Sequence, residues 1–279
     1  VNGTPALTAQ IAGGRTVGNP AGAAQAESAA GPRLNEDVDW DLFDSAAYFA
    51  HNYSTLRPDD GEIIRIVADF FEQQKQQWPD TWRPKAIDVG AGANLYPALT
   101  MLPFTGEITL YERASSNRAW LTEQMEQEDG PSPTWKQFWA EMIRGRSAYQ
   151  TINDPLNLLT RRARVVKGSV YGLQPEQYDI GTMFFVAESI TTRDDEFERA
   201  TRMFVNSLRA HAPFAAAFMK NSSGYRVGEN TFPACSVDEN DILRALSGVA
   251  RDVTINPVES NDLRDGYGGM IVVTGRKKM

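Results

Sequence analysis

The chain has 279 residues, 42% of them hydrophobic and 23% charged, with a net charge of −8 at pH 7. That length can bury a substantial core in one large domain, and the acidic balance argues against a nucleic-acid partner, which needs a basic face. One Cys (Cys235) excludes an intrachain disulfide framework, two His (His51, His211) leave little material for a metal site, and no apolar run approaches a membrane span, so a cytoplasmic protein with neither metal nor membrane partner is expected.

Residues 1–36 read as a low-complexity extension rich in Ala, Gly, Thr and Pro, with too few large apolar residues to order itself. Organisation begins at Asp37-Val-Asp-Trp-Asp-Leu-Phe43. Asp44-Ser45 can cap a helix carrying Tyr48, Phe49 and Tyr53. The two tyrosines either pack this helix onto the domain or form a lid over a ligand. A second helix opens at Arg57-Pro58 and ends near residues 77–79, with Ile63, Ile64, Ile66, Val67, Phe70 and Phe71 on its apolar face. Residues 37–80 together form the expected lid region.

The stretch Lys85–Tyr96 reads as a buried strand, the glycine turn Gly90-Ala91-Gly92, and a helix over 93–102. Such a turn sits at the carboxyl end of a strand, where open α/β sheets bind nucleotide-like ligands. Strand two spans 107–112 and ends in Glu112, 20 residues beyond Gly92. That is the offset expected of a carboxylate on ribose hydroxyls. A dinucleotide fingerprint needs a third glycine, absent here. Asp88 before the turn, as D-x-G-x-G, is instead the pattern of Rossmann-like methyltransferases that use S-adenosylmethionine (SAM).

Further along, Ser115 or Ser116 caps a helix to about residue 128. The segment 129–160, with Trp135, Phe138, Trp139 and Met142 at helical spacing, is a helical insertion over the sheet edge. It serves either as a packed structural helix pair or as a ligand contact. Strands are expected at 164–170, 178–186 and 213–219. A helix runs from Asp194 to about His211, and residues 221–228 form a loop of turn residues. A last helix starts at Val237-Asp238. Strands 251–256 and 269–274 follow, joined by a Gly-rich link at 266–269 that suits an antiparallel pair. The order predicts an α/β fold: a Rossmann-like, mostly parallel seven-stranded sheet with an antiparallel strand near its end.

Residues 47–277 resemble the nicotinamide, phenylethanolamine and indolethylamine (thioether S-) N-methyltransferase family. The resemblance rests on Tyr48…Tyr53, on Ile87-Asp-Val-Gly-Ala-Gly-Ala-Asn-Leu-Tyr96, and on Glu112 followed by Asn117. Ser132-Pro133 and Ser222-Ser-Gly-Tyr-Arg-Val-Gly-Glu-Asn-Thr-Phe232 extend it. It implies a domain over 37–279 that binds SAM and methylates a small-molecule acceptor, releasing S-adenosylhomocysteine. By this resemblance Tyr48 and Tyr53 would contact the methionine end of SAM. Asp88, Gly90, Ala91, Gly92 and Tyr96 would line the methionine and ribose region. Glu112 would hold the ribose hydroxyls, with Arg113 and Asn117 near the adenosine. Ser169-Val170 would sit at the adenine edge, where the family usually has Asp-Val. Phe184 and Phe185 would separate cofactor from acceptor.

On the acceptor side the resemblance implies Phe185, Glu188, Phe218, Ser222 and Tyr225 as substrate-binding residues. Phe218 stands where the nicotinamide enzymes carry an Asp, and core packing is its alternative role. No His/Asp or Lys/Glu pair stands out as a base, which favours a nitrogen or sulfur nucleophile over a hydroxyl. Methylation at oxygen or carbon, a SAM-fold protein that binds without catalysis, and an NAD-linked oxidoreductase are the competing readings. No motif bears on oligomeric state.

Overall fold

The computed structural model describes residues 33–76, 78–79, 81–127, 131–259 and 268–279. Most of the N-terminal extension, the expected helix end and insertion start at 128–130, and half of the Gly-rich link lie outside the described residues.

The chain enters as a strap, residues 33–43, with two short turns of 3-10 helix. Asp44 then caps α1 (Ser45–Asn52), its carboxylate accepting from the Ala47 N–H at 2.9 Å. Helix α2 (Pro58–Lys75) starts with Pro in its first turn and Asp59 and Asp60 beside the positive dipole end. Its Ile63, Ile64, Val67 and Phe71 are fully buried.

The central strand β1 (Lys85–Val89) is followed by α3 (Tyr96–Met101), β2 (Glu107–Glu112) and α4 (Ser115–Glu126). The insertion forms α5 (Trp135–Met142), α6 (Ser147–Gln150) and α7 (Pro155–Arg162). Then come β3 (Ala163–Lys167), β4 (Ile180–Phe184), α8 (Asp194–Ser207), β5 (Pro213–Met219), β6 (Tyr225–Val227), β7 (Asn230–Phe232), α9 (Glu239–Leu246), β8 (Ala250–Val258) and β9 (Met270–Lys277).

Seven strands form one sheet in the order β3-β2-β1-β4-β5-β9-β8, and β6-β7 form a separate pair. Strands β1 to β5 run parallel, while β9 is antiparallel to both β5 and β8. The carboxyl ends of β1, β2 and β4 therefore open on the same edge, and the chain order reverses between β1 and β4. That reversal is the topological switch point at which open α/β sheets bind ligands.

Alternation along each strand feeds two cores. On β5, Ala215 and Ala217 join the cluster under α2, α3 and the insertion, whereas Phe214, Ala216 and Phe218 join the cluster under α8 and α9. The insertion packs as a structural unit. Trp135, Phe138 and Met142 are fully buried, and the Arg146 guanidinium pairs with Asp69 of α2 at 2.5 Å.

Several expected boundaries move. Helix α3 begins at Tyr96 rather than 93, because the Asn94 side chain accepts from the Tyr96 N–H at 3.0 Å and closes a turn first. Neither Ser115 nor Ser116 caps α4; the strap's Asp41 accepts the Ser115 N–H at 2.7 Å, an N-terminal partner supplied from 74 residues away. The β3 strand stops at Lys167, leaving Ser169 to start a 3-10 turn. Helix α8 ends at Ser207, short of His211. The stretch expected as a loop at 221–228 contains β6, whose partner β7 lies just beyond it. No helix of the described residues is long and apolar enough to cross a membrane.

Candidate functional site

A cleft lies over the carboxyl ends of β1, β2 and β4. Its floor is the β1 turn: Asp88 to Asn94, with Pro97. Gly90 and Gly92 hold φ of +65° and +56°, the left-handed region that glycine occupies without strain. A Cβ on Gly90 would also stand 2.5 Å from Val186 Cγ2. The turn is tied to the neighbouring strand by the Gly90 N–H donating to the Tyr111 carbonyl at 2.7 Å.

One wall is the end of β2. Glu112 accepts from the Gly92 N–H through Oε2 at 2.9 Å and from the Ala114 N–H through Oε1 at 2.7 Å. Burial pushes its carboxyl above the usual carboxylate range, while those N–H groups and the Asn117 side chain pull it back. Asn117 lines the cleft too, and its Oδ1 accepts from the Ser45 hydroxyl of α1 at 2.7 Å. Asp88 accepts from the Thr182 hydroxyl at 2.7 Å through Oδ1, while its buried Oδ2 has no partner. Burial pushes this carboxyl up to about 8, against the Thr182 bond and with the Glu112 charge adding to the rise.

The remaining walls come from four places. Tyr48 of α1 and Tyr53 at its end meet edge to face, ring centroids 5.8 Å apart. Arg113 and the Gly168–Val170 turn flank the β2–β3 side. Phe184 ends β4, Phe185 and Val186 follow it, and Phe185 holds a left-handed φ of +58°. For a bulky non-glycine residue that backbone is strained, and such strain clusters at ligand sites. Tyr225 of β6 closes the far side, its hydroxyl donating to the Ser189 carbonyl at 3.2 Å.

Thus Tyr48, Tyr53, Asp88, Gly90, Ala91, Gly92, Glu112, Arg113, Asn117, Ser169, Val170, Phe184, Phe185 and Tyr225 all border one cleft. Tyr96, Glu188, Phe218 and Ser222 do not. Tyr96 is fully buried and stacks on Phe138 with centroids 5.6 Å apart. Phe218 faces α8, packed edge-on against Phe197, because strand alternation turns it to the second core. Glu188 is fully buried and ties its loop to the end of β5 and to Cys235: Oε1 accepts from the Met219 N–H at 2.9 Å, and its carbonyl accepts from the Cys235 N–H at 2.6 Å. Ser222 is buried beyond the end of β5.

Sequence reasoning missed the strap's Asn35, Trp40 and Phe43, and Ser189 and Ile190 of the loop after β4, all of which line the cleft. The alternation of acids with apolar residues over 37–42 is the signal that points to the strap. Trp40 and Phe43 pack on Phe232 of β7 with centroids 5.6 and 5.2 Å away. Nothing in the sequence marks Asn35.

Comparison with known proteins gives one family match. The family model described as the NNMT/PNMT/TEMT family matches residues 34–278. No curated protein matches the chain. Among solved structures, the CurJ carbon methyltransferase superposes with a TM-score of 0.53 at 10% identity, over 88% of this chain and 62% of that one. This chain thus spans about six tenths of that protein. A SAM-dependent methyltransferase from Clostridium acetobutylicum gives 0.48 at 11% identity, over 83% and 98%. A Burkholderia thailandensis 1,6-didemethyltoxoflavin-N1-methyltransferase, solved with its substrate and S-adenosylhomocysteine, gives 0.44 at 13%, over 78% and 79%. These are likenesses of fold.

Proposed function

Because the chain belongs to the NNMT/PNMT/TEMT family of SAM-dependent methyltransferases, we propose that it methylates a nitrogen of a small amine or heteroaromatic acceptor. SAM is its cofactor, and when bound it supplies an electrophilic sulfonium methyl. The residues present fit that group. The glycine turn leaves room for close backbone approach. Glu112, held by two backbone N–H groups, has lone pairs left for ribose hydroxyls. Asp88 at the cleft floor keeps one buried oxygen, Oδ2, without a partner, which leaves it a polar atom to offer the cofactor.

The protein's contribution is placement. Tyr48 and Tyr53 can close over the methionine end of SAM, Phe185 and Tyr225 can hold an acceptor at the open end of the cleft, and proximity with alignment supplies most of the acceleration such a transfer needs. Aromatic faces also favour a cationic centre. Among the described lining residues there is neither His nor Lys. The two carboxyls, Asp88 and Glu112, are engaged by Thr182 and by backbone N–H groups. A neutral amine or ring nitrogen attacks without a base, which a hydroxyl would require.

The observation that carries this reading is the Gly92–Glu112 bond at the cleft floor, which joins the two halves of an adenosine site. Calorimetry with S-adenosylhomocysteine should show binding, and a panel of amines, thiols and phenols should yield methylated amines. No binding would sink the enzyme reading. Binding with transfer only to phenols or carbon acids would overturn the nitrogen assignment. Binding with no transfer to any acceptor would leave a ligand-binding protein on this fold.

A further inference from the structure

A second concave site lies at the opposite edge of the sheet. Trp78, Trp82 and Phe104 form its apolar side, and Lys75, Arg83 and Arg162 its charged side. Arg83 stands two residues before β1, and Thr105, also in the lining, stands two before β2. The site therefore opens at the amino ends of the strands whose carboxyl ends carry the cleft. The length of β1, about 16 Å, separates the two.

Local sequence builds the apolar side. Helix α2 ends at Lys75 and two turns follow, the Trp78 N–H donating to the Lys75 carbonyl and the Trp82 N–H to the Pro79 carbonyl, each at 3.0 Å. The two indoles meet edge to face, 78° apart with centroids at 5.0 Å, and Trp78 meets Phe104 edge-on at 6.1 Å. Rings at right angles make a corner in which a third flat ring finds both a face and an edge. The Gly106 N–H donates to the Pro84 carbonyl at 3.0 Å, which holds this segment against the start of β2. Trp82 nevertheless keeps 37% of its surface exposed.

Arg162, the last residue of α7, supplies the charge. Cations in the last turns of α2 and α7 complement the helix dipoles, and that accounts for Lys75 and Arg161. It does not account for Arg162, which is drawn partly out of water beside like charges. One of its guanidinium nitrogens donates to the Leu102 carbonyl at 2.9 Å, and among the described residues it forms no ion pair. Burial pushes the guanidinium below its ordinary value, with Arg83 and Arg161 adding to the fall. A half-buried cation among cations is unfavourable until an anion reaches it. No acid lines the site among the described residues. The remaining Arg162 N–H groups suit a planar oxyanion such as a carboxylate.

We infer that this site binds a small aromatic acid, with its ring in the Trp78–Trp82 corner and its carboxylate on Arg162. The site is separate from the cleft and does not depend on the methyl-transfer reading.

The test is calorimetry of the full chain with 2-naphthoate, with its neutral counterpart 2-naphthamide, and with acetate, which has the charge without the ring. The naphthoate should bind with a dissociation constant below about 1 mM, and each control about tenfold more weakly or worse. Trp82→Ala and Arg162→Gln should each weaken 2-naphthoate about fivefold or more, while Tyr225→Ala in the cleft wall should change it by less than about twofold. No binding of 2-naphthoate, equal binding of the amide, or binding that survives both substitutions would overturn the inference. So would loss of binding in Tyr225→Ala, which would put the acid in the cleft. Should Arg162→Gln fail to fold, the exposed Trp82→Ala and the comparison of acid with amide carry the test.

Discussion

The Gly92 N–H donates to Glu112 Oε2 at 2.9 Å, linking the β1 turn to the end of β2 across 20 residues. The carboxylate expected to hold the ribose thus also anchors the second glycine of the turn. Glu112→Gln should lose one charge-assisted bond and weaken S-adenosylhomocysteine binding by about 1–3 kcal/mol. A titration of the purified variant with an unchanged dissociation constant would show that Glu112 does not touch the cofactor.

Gly90→Ala should damage fold and site together. The new Cβ would meet Val186 Cγ2 at 2.5 Å, and the residue would need a φ of +65°. Left-handed backbone and overpacking together cost about 2–4 kcal/mol. Urea unfolding reads this, and adding Val186→Ala should recover the steric part alone. Full recovery would mean the backbone conformation carries no cost.

Glu188 makes the stability of the protein depend on pH. Burial pushes its carboxyl up to about 7 from 4.5. The folded state then keeps a proton that the unfolded chain releases, so this stabilisation is complete below about pH 4.5 and is lost as pH rises through about 7. The loss amounts to about 3 kcal/mol by pH 8. Asp88, pushed up to about 8, acts with the same sign in a higher window. Glu188→Gln should flatten the fall of the urea midpoint between pH 5 and pH 8. Parallel curves for variant and wild type would contradict the assignment.

Phe218→Asp should destabilise the protein without redirecting the acceptor. The side chain is fully buried against Phe197, so the change removes a core aromatic and buries a charge. Loss of a buried Phe alone costs about 3–5 kcal/mol. Circular dichroism should show a lowered Tm. A stable variant with a new acceptor profile would place Phe218 in the binding site after all.

Much of the site was readable from one stretch of chain because its physics is local. A left-handed turn demands glycine, a buried parallel strand demands an apolar run, and both mark Lys85–Val89 and Gly90–Gly92 without knowledge of neighbours. Glu112 follows from strand length and from the fixed offset of the next βα unit. The sheet class followed from the order of such units, and β5 spans Pro213–Met219 as expected. The β6–β7 hairpin escaped notice because three-residue strands are too short to show alternation.

What the sequence by itself determined is the floor of the cleft and the family of its ligand. Tertiary structure alone decided which face of β5 Phe218 joins, that Asp41 meets the N-terminus of α4, and that Asn35 reaches Arg113 from 78 residues away. The physical reason is separation. Backbone conformation is written in neighbouring residues, whereas a strap crossing a cleft is held by partners on other elements. No period or spacing in the chain announces them.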